Sequence, residues 1–465
     1  MKRTITCYSI FCCAFSFFCA FPYYVNASPP TIRNIEIKIN KIFEGENLGS
    51  IYEAANKLKI ETRKDVIKRE LLFKSGDPYD RFLIEESERN LRALKFIRKV
   101  SITPTFSGDF VDLLVSVQDT WTLIPFFAVT SGSGSNDRVA VGLSDSDILG
   151  FGKRLEFTYE DIDGREAVEA FYEDLRVLGT KNSFSVGYVT RSDGTISGVS
   201  FGKPYVSLKT RRSWNIYANW KDTVGRLFDA GNERFIFRQE KADLSGYYSL
   251  AYGDPERKIH RYTVGYEYND HTFFFPSLQD FDDVNVDPKS VLQNPRLVPE
   301  DRRFSYPFVA YSAIEADYIS LNYVDRFDRV EDYNLGNVFS AKLGFAPETL
   351  GSRRDAALFS LNDADGLLIG ESTFLRGELG VGFRVEGGEI NNALVRAEGK
   401  FFSILGPQYL GGLYVGKHTI ASNLELNYGF RLDKDREFLL GADTGLRGYD
   451  SYTFFGDKSF LLNLE

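Results

Sequence analysis

Thiols stop early in this chain. Its four cysteines, Cys7, Cys12, Cys13 and Cys19, all fall within the first nineteen of 465 residues. Beyond them no disulfide can form and no cysteine is available as nucleophile or zinc ligand. Methionine occurs once, as the initiator. The three histidines, His260, His271 and His418, match no metal-ligand spacing, so no metal and no cofactor is expected. After Phe21 no apolar run approaches the ~20 residues that a membrane helix requires. Positive charge is also short: 56 basic residues face 65 acidic ones, a balance that argues against a nucleic-acid partner.

The segment that holds the cysteines reads as an export signal over residues 1–27. Lys2 and Arg3 open it, Ile10 to Phe21 is a short apolar run, and Val25-Asn26-Ala27 is a small-x-small cleavage site before Ser28. Bulky Phe17 and Phe18 ahead of Cys19 speak against lipid attachment there. Without this segment 54 basic residues face 65 acidic ones, a net charge of −11.

What the chain does have is aromatic residues and glycine: 40 Phe, 26 Tyr and 40 Gly, at a mean hydropathy of −0.24. Soluble domains seldom need these together. A transmembrane β-barrel does, for interfacial girdles and for strand bends.

Two regions differ in period. In residues 28–120, Ile35, Ile37 and Ile39 alternate with polar neighbours as a half-buried strand. A helix is predicted from Thr62 as N-cap, with Val66, Ile67 and Leu71 inward. A second is predicted from Asp80, with Leu83, Ser87, Leu91 and Leu94 on one stripe. Two strands follow, Val100 to Phe106 and Val111 to Gln118, which gives the order β-α-α-β-β. Over residues 121–465 a period of two takes over. Leu155-Phe157-Tyr159, Phe184-Val186-Tyr188, Trp214-Ile216-Ala218-Trp220, Tyr262-Val264-Tyr266-Tyr268, Leu375 to Val385 and Leu424 to Phe430 each alternate with polar or glycine residues. The runs match the ~9–11 tilted residues of a membrane-spanning strand, where a soluble sandwich or propeller would not need an aromatic outer face. Asp163-Gly164, Asp193-Gly194, Gly253-Asp254-Pro255 and Glu386-Gly387-Gly388 read as turns. The stretch from Phe275 to Arg303 reads as one long polar extracellular loop.

Several segments resemble a known family. LLFKSGDPYD (71–80), ESERNLRALKFIRKVSI (86–102) and VDLLVSVQDTWTL (111–123) are similar to a POTRA domain, the polypeptide-transport-associated module. GLSDSDILGFGKRLEF (142–157) resembles the opening hairpin of barrels in the bacterial surface-antigen superfamily, with Asp147, Gly150 and Gly152 as its Asp-x-x-Gly-x-Gly motif; FGKPYV (201–206) resembles a later strand. That superfamily includes Bam-type and Tam-type assembly proteins and two-partner secretion transporters. TGLRGYDSYTFFGDKSFLLNLE (444–465) is similar to its long inward-folding loop, tipped by Arg447-Gly448-Tyr449. A guanidinium there is suited to pinning the loop to a wall carboxylate, Glu465 being one candidate, and Gly448 allows a tight turn. The resemblance implies a POTRA domain in the periplasm, of which this sequence shows one where Bam-type proteins usually have several, and an antiparallel outer-membrane barrel, sixteen-stranded in the family. About four strands would follow the one that holds Phe460 to Glu465, so the barrel is expected to be incomplete.

Other motifs dissolve on inspection. Gly198-Val199-Ser200-Phe201-Gly202 fits a nucleophile elbow but is followed by strand-like sequence. Asp161-Ile162-Asp163-Gly164 and Asp363-Ala364-Asp365-Gly366 lack a full calcium-ligand set and read as Asp-Gly turns. Gly150 to Lys153 lacks Walker spacing. No enzyme is expected. By resemblance the chain handles unfolded outer-membrane or secreted polypeptides and meets the lipid bilayer and accessory periplasmic proteins, either as an assembly and insertion factor or as a secretion pore. A receptor or porin-like barrel is the third reading.

Overall fold

The computed structural model describes residues 29–43, 50, 52–53, 56, 59–132, 135–162, 165–282, 284, 286–322, 324, 329–370, 372–416 and 418–465. The export signal, its cysteines and the Asp163-Gly164 turn lie outside the described residues.

The N-terminal unit runs β1 (Thr31–Asn40), α1 (Lys64–Glu70), α2 (Arg81–Ala93), β2 (Ile97–Ser107) and β3 (Phe110–Asp119). Its sheet order is β1-β3-β2, with β1 parallel and β2 antiparallel to β3. Val111, Leu113, Val115 and Val117 face the two helices and are almost fully buried, with Ile67, Leu91 and Ile97 against them. Asp80 caps α2 as expected, accepting from the amides of Phe82 and Leu83. Its buried stripe uses Ile84 where Leu83 was expected. Thr62 does not cap α1: the N-cap is Arg63, and the Thr62 hydroxyl is taken elsewhere.

The second region is one sheet of sixteen strands, all antiparallel to their neighbours. Its members are β4 (Leu123–Gly132), β5 (Ser135–Asp145), β6 (Lys153–Ile162), β7 (Arg165–Asp174), β8 (Ser183–Arg191), β9 (Gly194–Lys203), β10 (Arg212–Asp229), β11 (Asn232–Asp254), β12 (Lys258–Phe274) and β13 (Arg302–Glu315). A hairpin, β14 (Tyr318–Asn322) and β15 (Val330–Asn334), follows outside the sheet. The sheet resumes with β16 (Val338–Ala346), β17 (Ala356–Ile369), β18 (Thr373–Glu386) and β19 (Glu389–Ile404). After the small pair β20 (Gln408–Leu410) and β21 (Leu413–Gly416) come β22 (Thr419–Phe430), the short pair β23 (Phe438–Leu440) and β24 (Phe454–Gly456), and β25 (Lys458–Leu464). The sheet thus already counts sixteen strands at β25, where the sequence pointed to about four more. What it lacks among the described residues is a ladder between β4 and β25, so it is not closed.

Register explains the alternation. Tyr248, Val264, Val309 and Leu343 line up across β11, β12, β13 and β16, all exposed on the outer face. Three residues along, and so on the opposite face, Ser200, Tyr217, Ser245, Glu267 and Tyr306 line up on the inner side. There Lys342 meets Glu267 at 2.6 Å and the Tyr306 hydroxyl donates to the same carboxylate. An apolar outer face and a charged inner face fit a sheet with lipid on one side and water on the other. No described helix is long and apolar enough to cross a membrane.

Two expectations need correction. Asp363 to Gly366 is no turn but lies within β17, where the Gly366 amide donates to the Leu335 carbonyl. A Cβ there would stand 2.7 Å from the Leu335 backbone, so the glycine serves close approach of the β14–β15 hairpin. The long loop after β12 is not merely polar. It holds α3 (Pro288–Leu292) and buries Val286 and Val291 against Val224, Phe235, Ile236 and Phe237 of β10 and β11. A few apolar residues among many polar ones suffice to fold a cap onto a strand pair that already projects.

Candidate functional site

The N-terminal sheet has two edges, and they differ. On β2 the Ile102 amide is already taken by Glu88 at 2.6 Å, and Pro104, two residues on, has no amide to offer. On β1 the first residues are covered: the amides of Gly76 and Tyr79 donate to the carbonyls of Ile32 and Pro30, both at 2.8 Å. From Asn34 to Asn40 no strand lies along the outer side of β1 among the described residues. This is the edge with main-chain groups to spare.

The Asp-x-x-Gly-x-Gly motif lies in the turn between β5 and β6, against the N-terminal unit. Asp147 is buried; its carboxylate accepts from the Thr62 hydroxyl and the Gly152 amide, both at 2.6 Å. Lys59 stands 3.5 Å from Asp147 and 3.7 Å from Asp119, with its side chain also buried. Burial pushes the carboxyls of Asp119 and Asp147 up, against the pull of Thr62 and Lys59. Gly150 has φ +74°, and a Cβ on it would stand 2.3 Å from the Glu61 carbonyl oxygen. One on Gly152 would stand 2.7 Å from Val66. The motif is therefore a docking turn that fits only with glycine at both places.

A second docking turn escaped the sequence reading, although its signal is visible. Asp145-Ser-Asp-Ile-Leu-Gly150 recurs as Asp174-Leu-Arg-Val-Leu-Gly179 between β7 and β8. In each, the first Asp accepts from the backbone two residues on, and a leucine, Leu149 or Leu178, is held at φ near +50°. In the second turn Arg176 pairs with Glu70 of α1, and Lys181 donates to the Arg69 carbonyl. The turn after β9 continues the contact: Glu86 of α2 accepts from Ser207 and from the Leu208 amide, and Lys209 pairs with Asp80. On the β14–β15 hairpin Asp332 receives Arg92 at 2.8 and 2.9 Å. Four rim elements thus hold the helical side of the N-terminal unit and leave its sheet outward.

At the opposite end the segment from Arg431 to Asp457 folds across the sheet's inner side. Its wall contacts are acidic. Asp433 meets Arg384 at 2.9 Å, Asp435 meets Arg302 at 2.9 Å and Lys241 at 3.0 Å, and Glu437 accepts from the Phe228 amide at 2.8 Å. Burial works to raise the Asp435 carboxyl, but Arg302 and Lys241 outweigh it and hold it below the ordinary range. Tyr452 packs on Phe228, ring centres 4.4 Å apart. Arg447 lies elsewhere: its side chain is 89% exposed and 3.1 Å from the exposed Glu465. Gly448 takes φ +89° beside it, and Tyr449 packs edge-on against Phe454.

Residues 56–119 match the family model of the POTRA domain, "surface antigen variable number repeat". No curated protein is similar to the chain. Among solved structures it is similar to BamA from Haemophilus ducreyi lacking POTRA domains 1–3 (12% identity, TM-score 0.35), with 86% of this chain and 72% of that one covered. It is also similar to CdiB from Acinetobacter baumannii (10%, 0.34, 86% and 70%) and CdiB from Escherichia coli (10%, 0.41, 94% and 70%).

Proposed function

We propose that this chain, a POTRA-plus-barrel protein of the bacterial outer membrane, binds unfolded polypeptides and assembles β-barrel proteins into that membrane. The free stretch of β1, Asn34 to Asn40, is the binding element. An extended client adds to it as a further strand, through main-chain hydrogen bonds that tolerate many sequences. The domain's docking on four rim elements keeps that edge in a fixed relation to the barrel mouth.

The observation that favours insertion over passage is the combination of an occupied lumen and an unjoined seam. The segment 431–457 lies across the interior, held at Asp433, Asp435 and Glu437. Meanwhile β4 has no strand on its outer side among the described residues. A nascent strand has bonding groups to meet at β4 and little room inside. Secretion of a partner polypeptide is the competing reading, and it requires the loop to leave.

Photocrosslinking amino acids separate the two. Client adducts are expected from Lys38 on β1 and Phe127 on β4, with few from Ser101 on β2 or Glu267 in the lumen. Depletion of the protein should lower the levels of other outer-membrane barrels. Adducts dominated by Glu267, with barrel levels unchanged, would establish the secretion reading instead.

A further inference from the structure

The POTRA helices do not seal against the rim. Between α2, the turn after β9 and the β14–β15 hairpin lies a part-open cavity of about 580 Å³. Two of its acids are engaged: Glu86 by Ser207 and Leu208, and Asp332 by Arg92. Two of its cations are not. Arg89 lies over the Tyr318 ring at 4.6 Å and Arg261 over the Tyr205 ring at 3.9 Å, and neither meets a carboxylate among the described residues. Nε of Arg261 is buried with no hydrogen-bond partner. A guanidinium stacked on an aromatic face keeps its in-plane donors, and those suit an oxyanion. Buried polar atoms are rarely left so, and here the residue that carries one also lines a cavity.

We propose that this cavity is an anion subsite for the client: it receives a side-chain carboxylate of a polypeptide passing from the β1 edge to the barrel, held by Arg261 and Arg89. The inference rests on the polypeptide-binding reading above. Position selects the ligand class. Arg261 alternates along β12 with outward-facing Tyr262, so it faces the inner side and not the lipid. Helix α2 and the rim turns make the walls, which places the cavity on the periplasmic mouth. A lipid headgroup would approach from the other face of β12.

The test uses the full chain in nanodiscs and a fluorescein-labelled Ser/Thr-rich peptide carrying a central Glu, against its Gln isostere. The Glu peptide should bind about tenfold more tightly, as a charge-assisted bond to arginine implies. That preference should vanish in Arg261→Met, shrink in Arg89→Met and survive in part in Arg261→Lys, while the Gln peptide binds all of them alike. Because the preference is a ratio on one protein, a variant that folds poorly cannot imitate the result. Equal affinity for both peptides on the wild-type chain would overturn the subsite and leave the edge reading intact. Binding of neither would sink both. A Glu preference that persists in Arg261→Met would place the carboxylate elsewhere. Arg261-dependent binding of phosphatidylglycerol vesicles without a peptide preference would make this a lipid site and refute the proposal.

Discussion

The two regions of this molecule bury opposite things. In the POTRA domain the apolar side chains are inside: Ile67, Leu91, Val111 and Val115 have essentially no exposure. Along the barrel wall Tyr248, Val264, Val309 and Leu343 are outside, and the inner face holds Glu267, Lys342, Asp243 and His271, the last two 2.8 Å apart. The same chemistry answers to two solvents. Water drives apolar groups inward, whereas lipid accepts them outward and leaves the backbone ladder to satisfy itself. Between the regions lies a third environment, polar yet dry, where Lys59, Asp119 and Asp147 meet.

That junction should be the most fragile of the three. Replacing Lys59 by methionine leaves two buried carboxylates facing one another and should cost about 3–5 kcal/mol. Faster proteolytic release of the POTRA domain from the barrel would report it, and an unchanged rate would show that the junction does not depend on the pair. The core contrast comes next. Leu91→Ala in the POTRA domain should cost about 2–5 kcal/mol in urea unfolding, because it leaves a cavity. Leu379→Ala on the barrel's outer face opens no cavity and should cost at most about 2 kcal/mol. Equal losses would contradict the reversal of inside and outside. Charge sharpens the same contrast: Val264→Arg should destabilise the barrel in lipid by about 2–4 kcal/mol, against ~0.5 kcal/mol or less for Ser340→Arg on the inner face.

Smaller effects probe the polar contacts. Asp119 and Asp147 hold protons more tightly in the folded chain than in the unfolded one. Between the ordinary carboxylate pKa and their raised values the native state carries the extra protons, so stability falls as pH climbs through that window. Asp119→Asn should flatten this slope above the ordinary carboxylate pKa of about 4, measured as urea midpoints. A slope that is unchanged would assign it to other groups. Smallest of all should be Arg447→Ala. Its partner Glu465 is exposed as well, so channel noise in planar bilayers should not change. Asp435→Ala, which frees Arg302 and Lys241, should raise conductance through a loosened loop.

Much of this was legible because burial has a period. The two-residue alternation of Tyr262 to Tyr268 and of Leu375 to Val385 marked strands that the ladder confirms. Val111 to Val117 marked the POTRA core in the same way. What stayed hidden were contacts between distant segments. Nothing local in Asp433-Lys-Asp-Arg-Glu437 announces that its acids reach Arg384 and Arg302, whereas Arg447-Gly448-Tyr449 drew the eye as a motif. Thr62 looked like a helix cap because its spacing to Val66 fits one. Only the fold shows that Asp147 has a prior claim on its hydroxyl. The α3 cap was missed for a related reason, since Val286 and Val291 are too far apart in a polar stretch to form a pattern.

The lengths of β10 and β11, 18 and 23 residues, carry one more consequence. A tilted strand crosses the hydrocarbon with ~9–11 residues, so roughly half of this ladder stands clear of the bilayer. The α3 cap packs on it at Val224, Phe235, Ile236 and Phe237, and Tyr452 packs on it at Phe228. If the sheet sits in the outer membrane as proposed, with the N-terminal unit in the periplasm, whatever comes from outside meets this projecting pair.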